Sequence, residues 1–116
     1  MTFRDVLDMT GAVNPSMSWY ETYNVNDSSG ACIIAEVSFP YIAGQFNNWI
    51  KINERCDTYE DTWSLRNFPL RPAIESELGS PFNFDGQLMT FRFRLDARYT
   101  SDRDDGWWID DLVIAD

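Results

Sequence analysis

The chain contains no histidine, a single lysine (Lys51) and two cysteines. It has no apolar run near the length that spans a bilayer. Without histidine the common general base and nitrogen metal ligand is missing, which removes Ser-His-Asp and Cys-His catalysis and the zinc-peptidase motifs. Basic residues are also scarce, nine against nineteen acidic ones, for a formal net charge of -10. That balance argues against nucleic acid and anionic membranes as partners, and the lack of a long apolar run argues against membrane insertion. It suits divalent cations, and it equally suits a plain solvated surface. No charged-then-apolar segment of the secretory kind opens the sequence, and nothing holds a helical period for long.

What is present is strand-like. With 116 residues, 44% of them apolar, the chain has the size of one domain, 1–116, with a single core. Residues 16–23 are rich in aromatics and Thr, and residues 31–39 are apolar on both sides at their start and alternate at their end. The loop 24–30 between them holds Asn, Asp, Ser and Gly, which close turns, so a hairpin is expected there. Trp49-Ile50-Lys51-Ile52 predicts a third strand and residues 62–68 a fourth, ended by Pro69 and Pro72. A short helix is predicted over 72–78, stopped by Gly79. In residues 87–97 Phe91, Phe93 and Leu95 alternate with Thr90, Arg92 and Arg94, the pattern of a half-buried strand with a polar outer face. Strands separated by turn signals predict an all-β fold, an antiparallel β-sandwich of jelly-roll type. Cys32 and Cys56 can form a disulfide if their strands are neighbours, and Asn26 lies in a glycosylation sequon.

The last strand, Gly106-Trp107-Trp108-Ile109-Asp110-Asp111-Leu112-Val113-Ile114, is apolar except for two adjacent carboxylates. Strict alternation puts Asp110 with Trp108, Leu112 and Ile114, and Asp111 with Ile109 and Val113. One Asp is therefore expected to face the core, where it needs a cation, backbone donors or an arginine. Carboxylates and carbonyls are the oxygen donors that Ca²⁺ takes, which makes Asp110 and Asp111 the candidate metal ligands, with Asp102, Asp104 and Asp105 as further oxygens. The rival expectation is that an arginine such as Arg92 or Arg94, or backbone donors in a turn, hold Asp110.

Residues 88–96 followed by Gly106-Trp107-Trp108-Ile109-Asp110-Asp111-Leu112 resemble the close of the MAM-like jelly-roll modules of secreted peptidases of the immune inhibitor A type and of bacterial surface proteins. Leu7-Asp8-Met9-Thr10-Gly11-Ala12, Pro15-Ser16-Met17-Ser18-Trp19, and Ala35-Glu36-Val37-Ser38 with Trp49 fit the same pattern. The resemblance implies an extracellular or cell-surface, non-catalytic module, often with Ca²⁺ near the closing strand. Modules of this type usually begin with further strands before the Leu-Asp segment, so an N-terminal strand is expected to be lacking or supplied by another chain. An open sheet edge would then invite self-association by strand addition through residues 2–6.

The expected function is adhesion or assembly through a protein partner, not catalysis. Glu54, Asp57, Glu60 and Asp61 are acids a glycosidase could use, but no spacing singles out a pair. The alternative is a carbohydrate-binding module, suggested by an aromatic content of 16%. It requires at least two aromatics exposed on one face. Trp19, Trp49, Trp63, Trp107 and Trp108 are each expected in the core on burial statistics.

Overall fold

The computed structural model describes residues 6–24, 31–39, 49–56, 59–96 and 106–116. The loop 24–30 with Asn26, most of the candidate N-terminal strand 2–6, Asp57, and Asp102, Asp104 and Asp105 lie outside them, save Asn24 and Val6. Two antiparallel sheets pack face to face as an all-β sandwich. One has the order β1-β6-β3-β4 and the other β5-β2-β7. Its strands are β1 (Leu7–Asp8), β2 (Ser16–Asn24), β3 (Cys32–Ser38), β4 (Ile50–Cys56), β5 (Tyr59–Pro69), β6 (Leu88–Asp96) and β7 (Gly106–Ala115), with one helix, α1 (Leu70–Leu78). The chain switches sheets repeatedly, in the manner of jelly-roll-like sandwiches.

The hairpin expected between the first two long strands does not form. β2 pairs with β5 and β7, whereas β3 pairs with β4 and β6 in the other sheet. Their burial explains the separation. β2 alternates between buried and open positions, so only one of its faces is covered. β3 is buried at every position and suits the interior of its sheet, between β6 and β4. Two strands with such different demands do not share one covering layer.

Met17, Trp19, Val37, Leu70, Ile74, Phe84 and Met89 form the centre of the core. Trp19 meets Phe93 edge-on at 5.1 Å, and Phe93 meets Trp107 at 5.2 Å. These contacts join the two sheets through aromatic edges and faces. The helix closes one end by burying Leu70 and Ile74. It starts two residues before the expected span, with Pro72 in its first turn, where a missing N–H costs nothing. Gly79 ends it at φ 73°, and its amide bonds the Glu75 carbonyl. Cys32 and Cys56 are direct cross-strand partners, and their sulfurs are bonded at 2.03 Å.

Candidate functional site

Two groups of polar and aromatic residues lie on opposite sides of the three-stranded sheet. The inward row of β2 is Met17, Trp19, Glu21 and Tyr23, all buried. Glu21 is fully buried, and sequence reasoning missed it. Its Oε1 accepts from Trp19 Nε1 at 2.7 Å, Arg55 Nη2 at 2.7 Å and Trp107 Nε1 at 3.1 Å. Its Oε2 accepts from Arg55 Nη1 and from Arg66 Nε at 3.1 Å. Arg55 sits on β4, so this carboxylate ties the two sheets together across the sandwich. The guanidinium of Arg55 also lies 4.6 Å from the Tyr23 ring centroid. Burial alone would push the Glu21 carboxyl up. The hydrogen bonds from Arg55 and Trp19, the Arg55 charge and the Arg66 bond outweigh it and hold the group below its ordinary value.

Accommodating Glu21 turns β5 over. Arg66 must face inward to reach Oε2, and Phe68 and Ser64 take the same side, so Trp63, Leu65 and Asn67 face solvent. The core expectation therefore fails for Trp63, which is 55% exposed. It fails equally for Trp108, also 55% exposed, while Trp19 is buried and Trp49 and Trp107 are half-buried.

β7 departs from strict alternation for a different reason. Its pairing with β2 shifts between Ser18↔Val113 and Tyr20↔Asp110, so Asp111 and Leu112 together oppose Trp19. Asp111 adopts φ 53°, a left-handed conformation that Asp tolerates better than most residues. This bulge resets the phase. Trp107, Ile109, Leu112 and Ile114 pack on the core, and Asp110 and Asp111 are both exposed. The expected core-facing carboxylate is thus absent: the extra residue lets both acids face water. Nor do Arg92 and Arg94 hold Asp110. Both donate to Glu36 Oε1, at 2.8 and 3.1 Å, on β3 of the other sheet. Asp110 Oδ1 accepts the Asp111 amide at 2.8 Å.

The outer face of the three-stranded sheet gathers these residues. Tyr20 pairs laterally with Leu65 on one side and Asp110 on the other, and Thr22 pairs with Trp108. Trp63 and Trp108 flank β2, about two strand spacings (~10 Å) apart. Of the eight large hydrophobic side chains exposed among the described residues, five lie on this face: Tyr20, Trp63, Leu65, Trp108 and Val113. Such a concentration makes this face the candidate binding surface. Tyr20, Trp63, Asp110 and Asp111 line an open concavity of about 310 Å³.

Gly106 is what lets Trp108 lie flat. A Cβ at that position would come within 2.5 Å of the far edge of the Trp108 indole. The ring therefore rests over bare backbone two residues upstream on the same face.

A slightly larger concavity of about 340 Å³ lies at the other end, beside residues 7–12, Pro15 and Ile114 to Asp116. Its carboxylates are occupied within the fold. Asp8 accepts the Thr10 amide, and Asp116 accepts the amides of Val13 and Asn14 at 2.9 and 2.7 Å. Among the described residues no aromatic side chain lines it, and the face bearing Tyr20, Trp63 and Trp108 is the better candidate. Cys32, Glu54 and Cys56 bring potential metal-ligand atoms within 4.8 Å of one another, but the two sulfurs are bonded to each other. No family model, curated protein or solved structure matches this chain.

Proposed function

We propose that the protein is a non-catalytic β-sandwich module acting in adhesion outside the cell, and that the outer face of its three-stranded sheet binds carbohydrate. The observation that carries this reading is the pair Trp63 and Trp108, exposed on one face on either side of β2, with Tyr20 exposed further along that strand. Sugars present apolar C–H faces that stack on aromatic rings, and their hydroxyls donate to carboxylates. Tyr20, Trp63 and Trp108 offer the rings, and Asp110 and Asp111 offer the acceptors. The resemblance to MAM-like modules and the Cys32–Cys56 disulfide support an extracellular setting.

Ca²⁺ remains a proposal for the same carboxylate pair. Asp110 and Asp111 would supply a minority of the roughly six to eight oxygens the ion takes, so water would complete its shell and binding there would be weak. Leu65 and Val113 on the same face suit a protein partner, which is the assembly reading, and self-association seen by light scattering would favour it.

The test is affinity electrophoresis and calorimetry on a panel of soluble polysaccharides with wild type, Trp63→Ala and Trp108→Ala. Losing one stacking ring is worth roughly 0.5–1.5 kcal/mol, so each variant should bind about two- to tenfold more weakly. Their melting temperatures should stay close to wild type because both rings are more than half exposed. Failure to retain any glycan, or retention indifferent to both substitutions, would refute the reading.

A further inference from the structure

We propose that this face selects a cationic sugar, a glycan carrying free amino groups, whose ammonium sits between the Asp110–Asp111 pair and the rings of Tyr20 and Trp63. The inference rests on the glycan-binding reading and narrows its ligand class.

The argument starts from what the other carboxylates do. Glu21 and Glu36 each bind two arginines, Glu75 binds Arg71, Asp96 binds Arg94, and Glu54 binds Lys51. Asp8, Asp85 and Asp116 accept backbone amides from loops they organise. Glu77, Asp110 and Asp111 have no ion pair among the described residues; of the three only Asp110 and Asp111 are adjacent in sequence, both exposed on one surface, with Asp110 accepting just the amide of Asp111. Two neighbouring negative charges repel, and a cation between them relieves that repulsion.

The walls of the concavity add a second attraction of the same sign. An ammonium over the face of Trp or Tyr is held by the ring's quadrupole, worth roughly 0.5–1 kcal/mol at exposed sites and more when partly desolvated. Tyr20 and Trp63 line the concavity together with the two carboxylates. Aromatic walls alone would suit a neutral sugar, and carboxylates alone a hydrated metal ion. Their combination on one concavity complements an organic cation attached to a ring that can stack. The net charge of -10 acts in the same direction at long range, drawing in polycations and repelling uronic or sulfated chains.

Three oligosaccharides that share one backbone and differ only in the substituent on the second carbon separate the terms. Chitosan oligomers carry an amine there, chitin oligomers an acetamide and cello-oligomers a hydroxyl. Calorimetry at mildly acidic pH keeps the amine of the chitosan oligomer protonated. Wild type should bind the chitosan oligomer at least tenfold more tightly than the cello-oligomer, and added salt should erode that preference alone. Asp110→Asn with Asp111→Asn should abolish the preference and leave the weaker neutral binding in place. Asn tolerates the left-handed conformation of position 111 as Asp does, so the bulge is retained, and an unchanged melting temperature checks this. Equal affinity for all three oligomers, lost in Trp63→Ala, would overturn the cation selection while sparing the glycan reading. Binding of none of them by wild type, on a panel where no other glycan binds either, would overturn both.

Discussion

Glu21→Gln changes one carboxylate oxygen to an amino group and leaves the volume of the side chain intact. At this site the exchange has no harmless orientation. If the amide nitrogen replaces Oε1 it faces the N–H groups of Trp19 and Trp107 and one nitrogen of Arg55; if it replaces Oε2 it faces Arg55 and Arg66. Donors oppose donors either way, and two arginines lose their counter-charge. Removing one partner of a buried pair is worth roughly 3–5 kcal/mol. The lower end applies, because the Arg55 and Arg66 side chains are 18% and 31% exposed and can recruit water. With an unfolding entropy of about 2.1 cal/mol/K per residue, a loss of about 3 kcal/mol lowers the melting temperature of a chain of this length by about 12 °C.

The pH dependence gives the same experiment a second reading. Glu21 titrates below its ordinary value when folded. Its contribution is therefore fully present above the unfolded-state pKa and is lost as pH falls through the folded-state one. Thermal unfolding of wild type and Glu21→Gln, followed by circular dichroism from neutral to strongly acidic pH, should show a gap that closes in acid. A variant melting within about 3 °C of wild type at neutral pH would refute the reasoning, and so would a gap that stays constant into strong acid.

Reduction of the Cys32–Cys56 bond, which closes a loop with a sequence separation of 24, should destabilise the protein by about 3.5 kcal/mol on the loop-entropy account; urea unfolding with and without reductant measures it, and a shift under about 1 kcal/mol would contradict that account. Gly106→Ala should push the Trp108 indole off the backbone and weaken glycan binding several-fold with little change in melting temperature; unchanged affinity would show that the seat under the ring is irrelevant to binding.

β6 was legible because Phe91 and Phe93 face one side and Arg92 and Arg94 the other without interruption, and each set had the face its chemistry required. β5 was legible as a strand, but its phase was not. Trp63 and Leu65 are the apolar row, and by burial statistics they should point inward. The need of Glu21 for Arg66 reversed them, and that need arises from a strand more than forty residues away. The signal for Glu21 was present in β2, where it occupies the inward row with Met17, Trp19 and Tyr23. A lone acid in such a row demands a cation from elsewhere, but the sequence does not say from where. β7 misled for a local reason. A bulge adds one residue without any marker glycine, and a single insertion exchanges the faces of everything beyond it. The sheet assignment of β2 and β3 was hidden because turn residues signal that the chain reverses, not which layer receives it.

The same bulge bears on how the protein behaves among copies of itself. Among the described residues β7 is the outer strand of its sheet, and one of its sides has no neighbouring strand there. A long flat ribbon there would be a template on which another chain could crystallise its own strand, the first step towards insoluble aggregate. The left-handed residue at Asp111 breaks the ribbon near its middle, so that neither half offers a long continuous run of evenly spaced donors and acceptors. Two negative charges at the break repel an identical strand approaching in register. The bulge and its charges thus make this edge a poorer template for a second copy than a flat strand would be, beside a face rich in exposed tryptophan.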